Sequence, residues 1–138
     1  MDVARKILIL AREIGLKLEL DQIKIKPALP EEYFVKNSID EFFIELEKLD
    51  SKFEKKKIEA RKNNLVHRYI ATLHEGNAEV KLQEVGKEHP FYFLSGSDNI
   101  ISVTTKRYSN TPIVIKGPGA GAEATAGGLL AGIITLFK

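Results

Sequence analysis

Residues 65–85 read LVHRYIATLHEGNAEVKLQEV. In its second half Ala78, Val80 and Leu82 alternate with Glu79, Lys81 and Gln83. That period of two gives a strand one apolar face and one wet face. Residues 65–73 form the partner strand, and Glu75-Gly76-Asn77 is turn chemistry between them. A tight hairpin of this kind is antiparallel, so the fold is not a regular succession of strand–helix–strand crossovers.

Upstream, the pattern changes to helix. Ser38 is an N-cap candidate with Glu41 three residues on, the capping-box spacing, and Phe42, Phe43, Leu46 and Leu49 follow. A second helix is predicted over 50–63; its run Glu54-Lys55-Lys56-Lys57 is read as a solvated face laced with ion pairs rather than a basic patch. Before these lie a loop at 27–37 and a strand over 18–27, where Ile23 and Ile25 alternate with Lys24 and Lys26. The first helix is expected over 2–14. Val3, Ile7, Leu10, Ala11 and Ile14 form its apolar stripe, Leu8 and Ile9 widen it, and Gly15 stops it.

Downstream, Gly96-Ser97-Asp98-Asn99 turns into a strand over 100–108. Residues 113–116 return, and Gly117-Pro118-Gly119-Ala120-Gly121 leads into a small-residue helix over 122–137. Together these elements predict an α+β fold: a mixed, largely antiparallel sheet with helices packed on one face.

The 138 residues fit one domain and can bury a sizeable core. Net charge is +2, from 21 basic and 19 acidic residues, which argues against nucleic acid or an anionic membrane as partner. There is no cysteine, so disulfides and thiolate metal sites are excluded. No signal peptide or membrane span is expected, and a cytoplasmic location is.

Two features carry possible chemistry. Asp2 and Lys6 are four residues apart on the first helix, so both look into the same space, about 5.4 Å apart along the axis. The plain reading is an Asp capping the helix with a surface Lys partner. The second feature is the Gly117–Gly121 loop ahead of a helix, where backbone N–H groups can approach an anion. Only 17 residues follow Gly121, with no strand among them, so the loop is no complete dinucleotide fingerprint; its plain reading is a tight turn. His67, His74 and His89 have no metal-ligand spacing, and no metal site is expected.

The wording of three segments goes further. DVARKILILAREIG at 2–15, GSDNIISVTTKRY at 96–108 and IVIKGPGAGAEATAGG at 113–128 resemble, in order, segments of the homoserine dehydrogenases, including the dehydrogenase half of the bifunctional aspartokinase–homoserine dehydrogenases. The resemblance implies an oxidoreductase interconverting L-homoserine and L-aspartate 4-semialdehyde with NADP or NAD, in threonine and methionine biosynthesis. It gives Lys6 the catalytic acid/base role and makes Asp2 substrate-binding. Gly121 becomes a cofactor-binding contact, with Ala120 and Ala122 as weaker neighbours. It also implies a nucleotide-binding Rossmann domain and a substrate-binding glutamate ahead of Asp2. Residues 1–138 are therefore expected to be the substrate-binding and dimerisation domain of a longer enzyme, pairing as a homodimer through the sheet. Residues 117–138 would return to the nucleotide domain, leaving Leu129, Ile133 or Phe137 exposed. The stretch by itself is expected to be inactive. The alternative is a dimerisation or regulatory binding module without chemistry.

Overall fold

The first helix, α1 (Asp2–Glu13), stops as expected. Gly15 adopts φ +87°; its N–H donates to Arg12 O at 2.9 Å, and Leu16 N–H donates to Ala11 O at 3.0 Å. This is the paired Schellman closure, with glycine where the left-handed turn requires it. The Arg12 guanidinium then reaches past the turn, donating to Leu18 O at 3.1 Å and to Glu19 Oε2 at 2.7 Å. A computed structural model of the chain describes residues 1–34 and 38–137. They form two compact units, Met1–Gly86 and Lys87–Lys138.

In the first unit the remaining elements are β1 (Lys24–Ile25), α2 (Ile39–Glu47), α3 (Asp50–Lys62), β2 (Val66–His74) and β3 (Asn77–Val85). The hairpin β2–β3 is antiparallel, with Ala71 opposite Val80 and Leu73 opposite Ala78. Its turn is two residues, Glu75 (φ 49°) and Gly76 (φ +79°), the left-handed pair whose twist suits a tight hairpin. β1 pairs parallel with β3, giving the order β1-β3-β2. α1 packs Ala4 and Ala11 on the face carrying Ala71, Leu73, Ala78 and Val80, with Leu18 and Ile23 completing the core. Ala4 and Ala11, at 1% and 0% exposure, are the buried positions of the stripe, and side chains this small let a helix backbone approach a sheet closely. Val3, Ile7 and Leu8 flank them, whereas Leu10 and Ile14, expected on the stripe, are exposed together with Ile9.

The strand expected over 18–27 is a correction. Residues Leu20–Gln22 form a 3-10 turn, closed by Glu19 N–H donating to Gln22 Oε1 at 2.8 Å. Only Lys24 and Ile25 reach the ladder before Pro27 ends it. In the expected loop, Glu31–Phe34 is another 3-10 turn, and residues 35–37 lie outside the described residues. Ser38 caps α2 as expected, its Oγ accepting from Glu41 N–H at 3.2 Å. α3 ends on a second Schellman closure with Asn64 at φ 57°. There Asn64 N–H donates to Arg61 O at 3.0 Å and Leu65 N–H to Ala60 O at 2.8 Å.

The second unit contains β4 (Asp98–Val103), β5 (Ile113–Pro118) and α4 (Ala122–Leu136). β4 and β5 form a separate antiparallel ribbon from Asp98 opposite Pro118 to Val103 opposite Ile113. The fold is therefore α+β, as read from the sequence, with its strands divided between a three-stranded mixed sheet and a two-stranded ribbon. The strand expected to run to residue 108 stops at Val103, where its partner ends; Thr105 Oγ1 instead accepts from Tyr108 N–H at 3.1 Å in a local turn. Residues 118–137 are all exposed, Leu129, Ile133 and Phe137 among them.

Candidate active site

Asp2 and Lys6 meet on the first turns of α1: Lys6 Nζ lies 2.9 Å from Asp2 Oδ2. Their side chains are 75% and 49% exposed, respectively. The capping role expected for Asp2 is corrected. Met1 is the N-cap residue and no side chain caps the helix; Asp2 is the first helical residue and spends its carboxylate on Lys6. That hydrogen bond, then the charge of the ammonium, holds the Asp2 carboxyl below the ordinary carboxylate range. The helix dipole favours the same sign of charge at this position. The pair stands on open surface. A depression of about 690 Å³ beside the helix start is lined by Met1, Glu19, Leu20, Asp21, Ile23 and Ile25, and so by neither member of the pair.

Gly121 is the N-cap residue of α4 with φ +131°, a conformation closed to residues with a Cβ. Nothing lies within 4 Å of the position its Cβ would take, so the backbone here is bare. Gly121 belongs to the second unit and the Asp2–Lys6 pair to the first.

Two further polar groupings and a cleft lie outside the site residues singled out from the sequence. Glu79 sits on β3 between two ammonium groups: Lys26 Nζ is 3.0 Å from Oε1, and Lys81 Nζ pairs with Oε2. These bonds, that of Lys81 first, lower the Glu79 pKa to about 2. Sequence alternation had put Glu79 and Lys81 on the wet face, but only the parallel pairing of β1 brings Lys26 to them. His67, read as a strand histidine, pairs across the hairpin with Glu84 at 3.2 Å. On its face of the hairpin, Leu82 and His67 border α3 across an open cleft of about 760 Å³, with Phe53, Lys57, Ala60 and Arg61 on the opposite wall. Among the described residues no three His, Asp or Glu side chains converge as a metal site, and no helix is long and apolar enough to cross a membrane.

The family profile of homoserine dehydrogenase matches residues 1–134. The chain belongs to the homoserine dehydrogenase family. A bifunctional aspartokinase/homoserine dehydrogenase 2 of Zea mays, chloroplastic by name, is 44% identical over 137 residues, covering 98% of this chain and 15% of that protein. A bifunctional aspartokinase/homoserine dehydrogenase of Haemophilus influenzae is 36% identical, over 99% of this chain and 17% of its own length. The homoserine dehydrogenase of Schizosaccharomyces pombe is 40% identical, over 100% of this chain and 38% of its own length. Among solved structures, a Candida auris protein of unknown function superposes with a TM-score of 0.85 at 37% identity, over 97% of this chain and 38% of that one. The chain thus spans about 15% of the length of the bifunctional plant relatives and 38% of the fungal homoserine dehydrogenase.

Proposed function

We propose that residues 1–138 supply the substrate-handling part of an NAD(P)-dependent homoserine dehydrogenase, within an enzyme longer than this stretch. The observation that carries the proposal is the Asp2–Lys6 pair, 2.9 Å apart and open to solvent, in a chain of this family. The nicotinamide cofactor, when bound, supplies the hydride chemistry. The chain's own groups handle binding and the proton. The Asp2 carboxylate accepts hydrogen bonds from the ammonium of homoserine, releasing Lys6 from the pair. In the closed cleft desolvation makes the released Lys6 give up its proton; its neutral Nζ then takes the proton from the substrate hydroxyl in the oxidative direction, and the ammonium returns it to the aldehyde oxygen in the reductive one. Gly121 fits a cofactor contact: its backbone is bare and it opens α4, where unpaired N–H groups point outward.

The site needs a wall opposite the pair, which we assign to a nucleotide-binding domain elsewhere in the enzyme; residues 117–138 would run back to it. α4 is apolar on every side yet exposed throughout, and helices of that composition are normally buried. The proposal includes a homodimer: β2 has β3 on one edge and no described strand on the other, an edge open to pairing. A cytoplasmic setting and a place in threonine and methionine biosynthesis belong to the same proposal.

The isolated chain is expected to show no turnover of homoserine. Mixing it with the separately produced nucleotide-binding part should restore NAD(P)H formation, and Asp2→Asn should raise the homoserine KM in that mixture. The rival reading, a binding module without chemistry, is favoured by the self-contained core around Val80 and Ala11. It predicts that neither substitution at Asp2 nor at Lys6 changes turnover of the whole enzyme.

A further inference from the structure

Ser97 and the start of β4, Asp98-Asn99, have no role in the account above, yet they lie against the glycine loop. The last rung of the β4–β5 ribbon pairs Asp98 with Pro118, preceded by Asn99 with Gly117. Beyond it Gly119 N–H donates to Ser97 O at 3.3 Å, and the Lys116 ammonium lies 3.2 Å from Asp98 Oδ2. The Asn99 side chain projects diagonally across the ribbon, as neighbours offset by two residues on one face do. There it fills the space over Gly119: a Cβ built on that glycine would coincide with the Asn99 carboxamide. Gly119 does not have the left-handed φ that Gly76 and Gly121 have. The space a side chain would take at Gly119 is held by the Asn99 carboxamide, whereas at Gly121 the backbone itself favours glycine.

From this we propose that Asn99 is a positioning residue for the cofactor loop: its carboxamide, seated on Gly119, fixes the course of the chain from Pro118 to Gly121 and so the direction in which the first N–H groups of α4 point. The inference rests on the reading of Gly121 as a cofactor contact. A loop with φ +131° at its helix entry and nothing packed on Gly121 has few other restraints, and glycines unrestrained by neighbours lose preorganisation to backbone entropy.

The test uses the full-length enzyme carrying these residues, with NAD(P)H affinity from fluorescence titration, homoserine KM and melting temperature measured for each variant. Asn99→Ala is expected to weaken NAD(P)H binding by about tenfold or more, a loss of about 1.4 kcal/mol, while homoserine KM stays within about twofold. Gly119→Ala, which displaces the carboxamide, should weaken cofactor binding similarly, and in a chain already carrying Asn99→Ala it should weaken it no further, because the new methyl group then has space. The inference is overturned if Asn99→Ala leaves cofactor affinity unchanged while Gly121→Ala weakens it, or if the losses from Asn99→Ala and Gly119→Ala add in the double variant. If Gly121→Ala changes neither cofactor affinity nor turnover, the reading of Gly121 itself fails and the proposed role of Asn99 falls with it. Should Asn99→Ala not fold, Gly119→Ala decides the matter by itself: unchanged cofactor affinity in that variant overturns the inference.

Discussion

Asp2 and Glu79 are carboxylates of the first unit that lysines pull toward ionisation, with different surroundings. Asp2 is a helix-start residue with one ammonium partner; Glu79 is a mid-sheet residue with two and only 22% of its side chain exposed. The sign of the pH effect follows from the direction of the shift. A carboxyl whose folded pKa is depressed adds stability above its unfolded value, and that stability is lost as pH falls through the folded pKa. For Glu79 the window runs from the unperturbed 4.5 down to about 2. Carbon-detected NMR titration should therefore show Glu79 still ionised at pH 3.5, and Lys81→Met should move its midpoint upward. A midpoint near 4.5 in the unaltered chain would contradict the double pairing. The i to i+4 spacing of Asp2 and Lys6 was legible from the sequence because helix geometry is local. The Glu79 cluster was not, because it depends on a parallel strand pairing between residues more than fifty positions apart.

Among the elements, the β2–β3 hairpin was read with its two strands and its apolar face, since alternation specifies the face; the turn is a correction, two residues, Glu75-Gly76, with Asn77 already paired to His74 rather than part of a three-residue turn. Gly76→Ala places a Cβ on a residue at φ +79° and should cost about 1 kcal/mol in chemical denaturation. Val80→Ala empties a fully buried position facing Ala71 and should cost about 2 kcal/mol. If Gly76→Ala were the more damaging, the core would lie elsewhere than under α1. β1 was overread because Ile23-Lys24-Ile25-Lys26 alternates perfectly well, but a strand also needs a partner. The 3-10 turn at Leu20–Gln22 and Pro27 leave room for just the Lys24 and Ile25 rungs. β4 was misplaced for the same reason. Its true start at Asp98 is set by β5, and that two-residue shift turns Asn99 from a turn residue into the neighbour of Gly119.

At the scale of the whole molecule the two units differ in kind. Among the described residues, the buried hydrophobic ones all fall between Ala4 and Val85, in the first unit, while α4 of the second exposes Leu129, Leu130, Ile133 and Ile134. So large an apolar surface calls for a partner. The homodimer in the proposal predicts a solution mass of about twice 15.5 kDa for the chain by light scattering; a strict monomer at high concentration would count against that part of it. The family could be read from three short segments, but the sites could be read only as residues, because in the proposal the chemistry joins groups from this stretch to groups of another domain. The most direct measurement is steady-state oxidation of homoserine by the full-length enzyme carrying Lys6→Ala. The account predicts that kcat falls by about 10²–10⁴-fold with NAD(P) affinity unchanged. Turnover within a few-fold of the unaltered enzyme would contradict it.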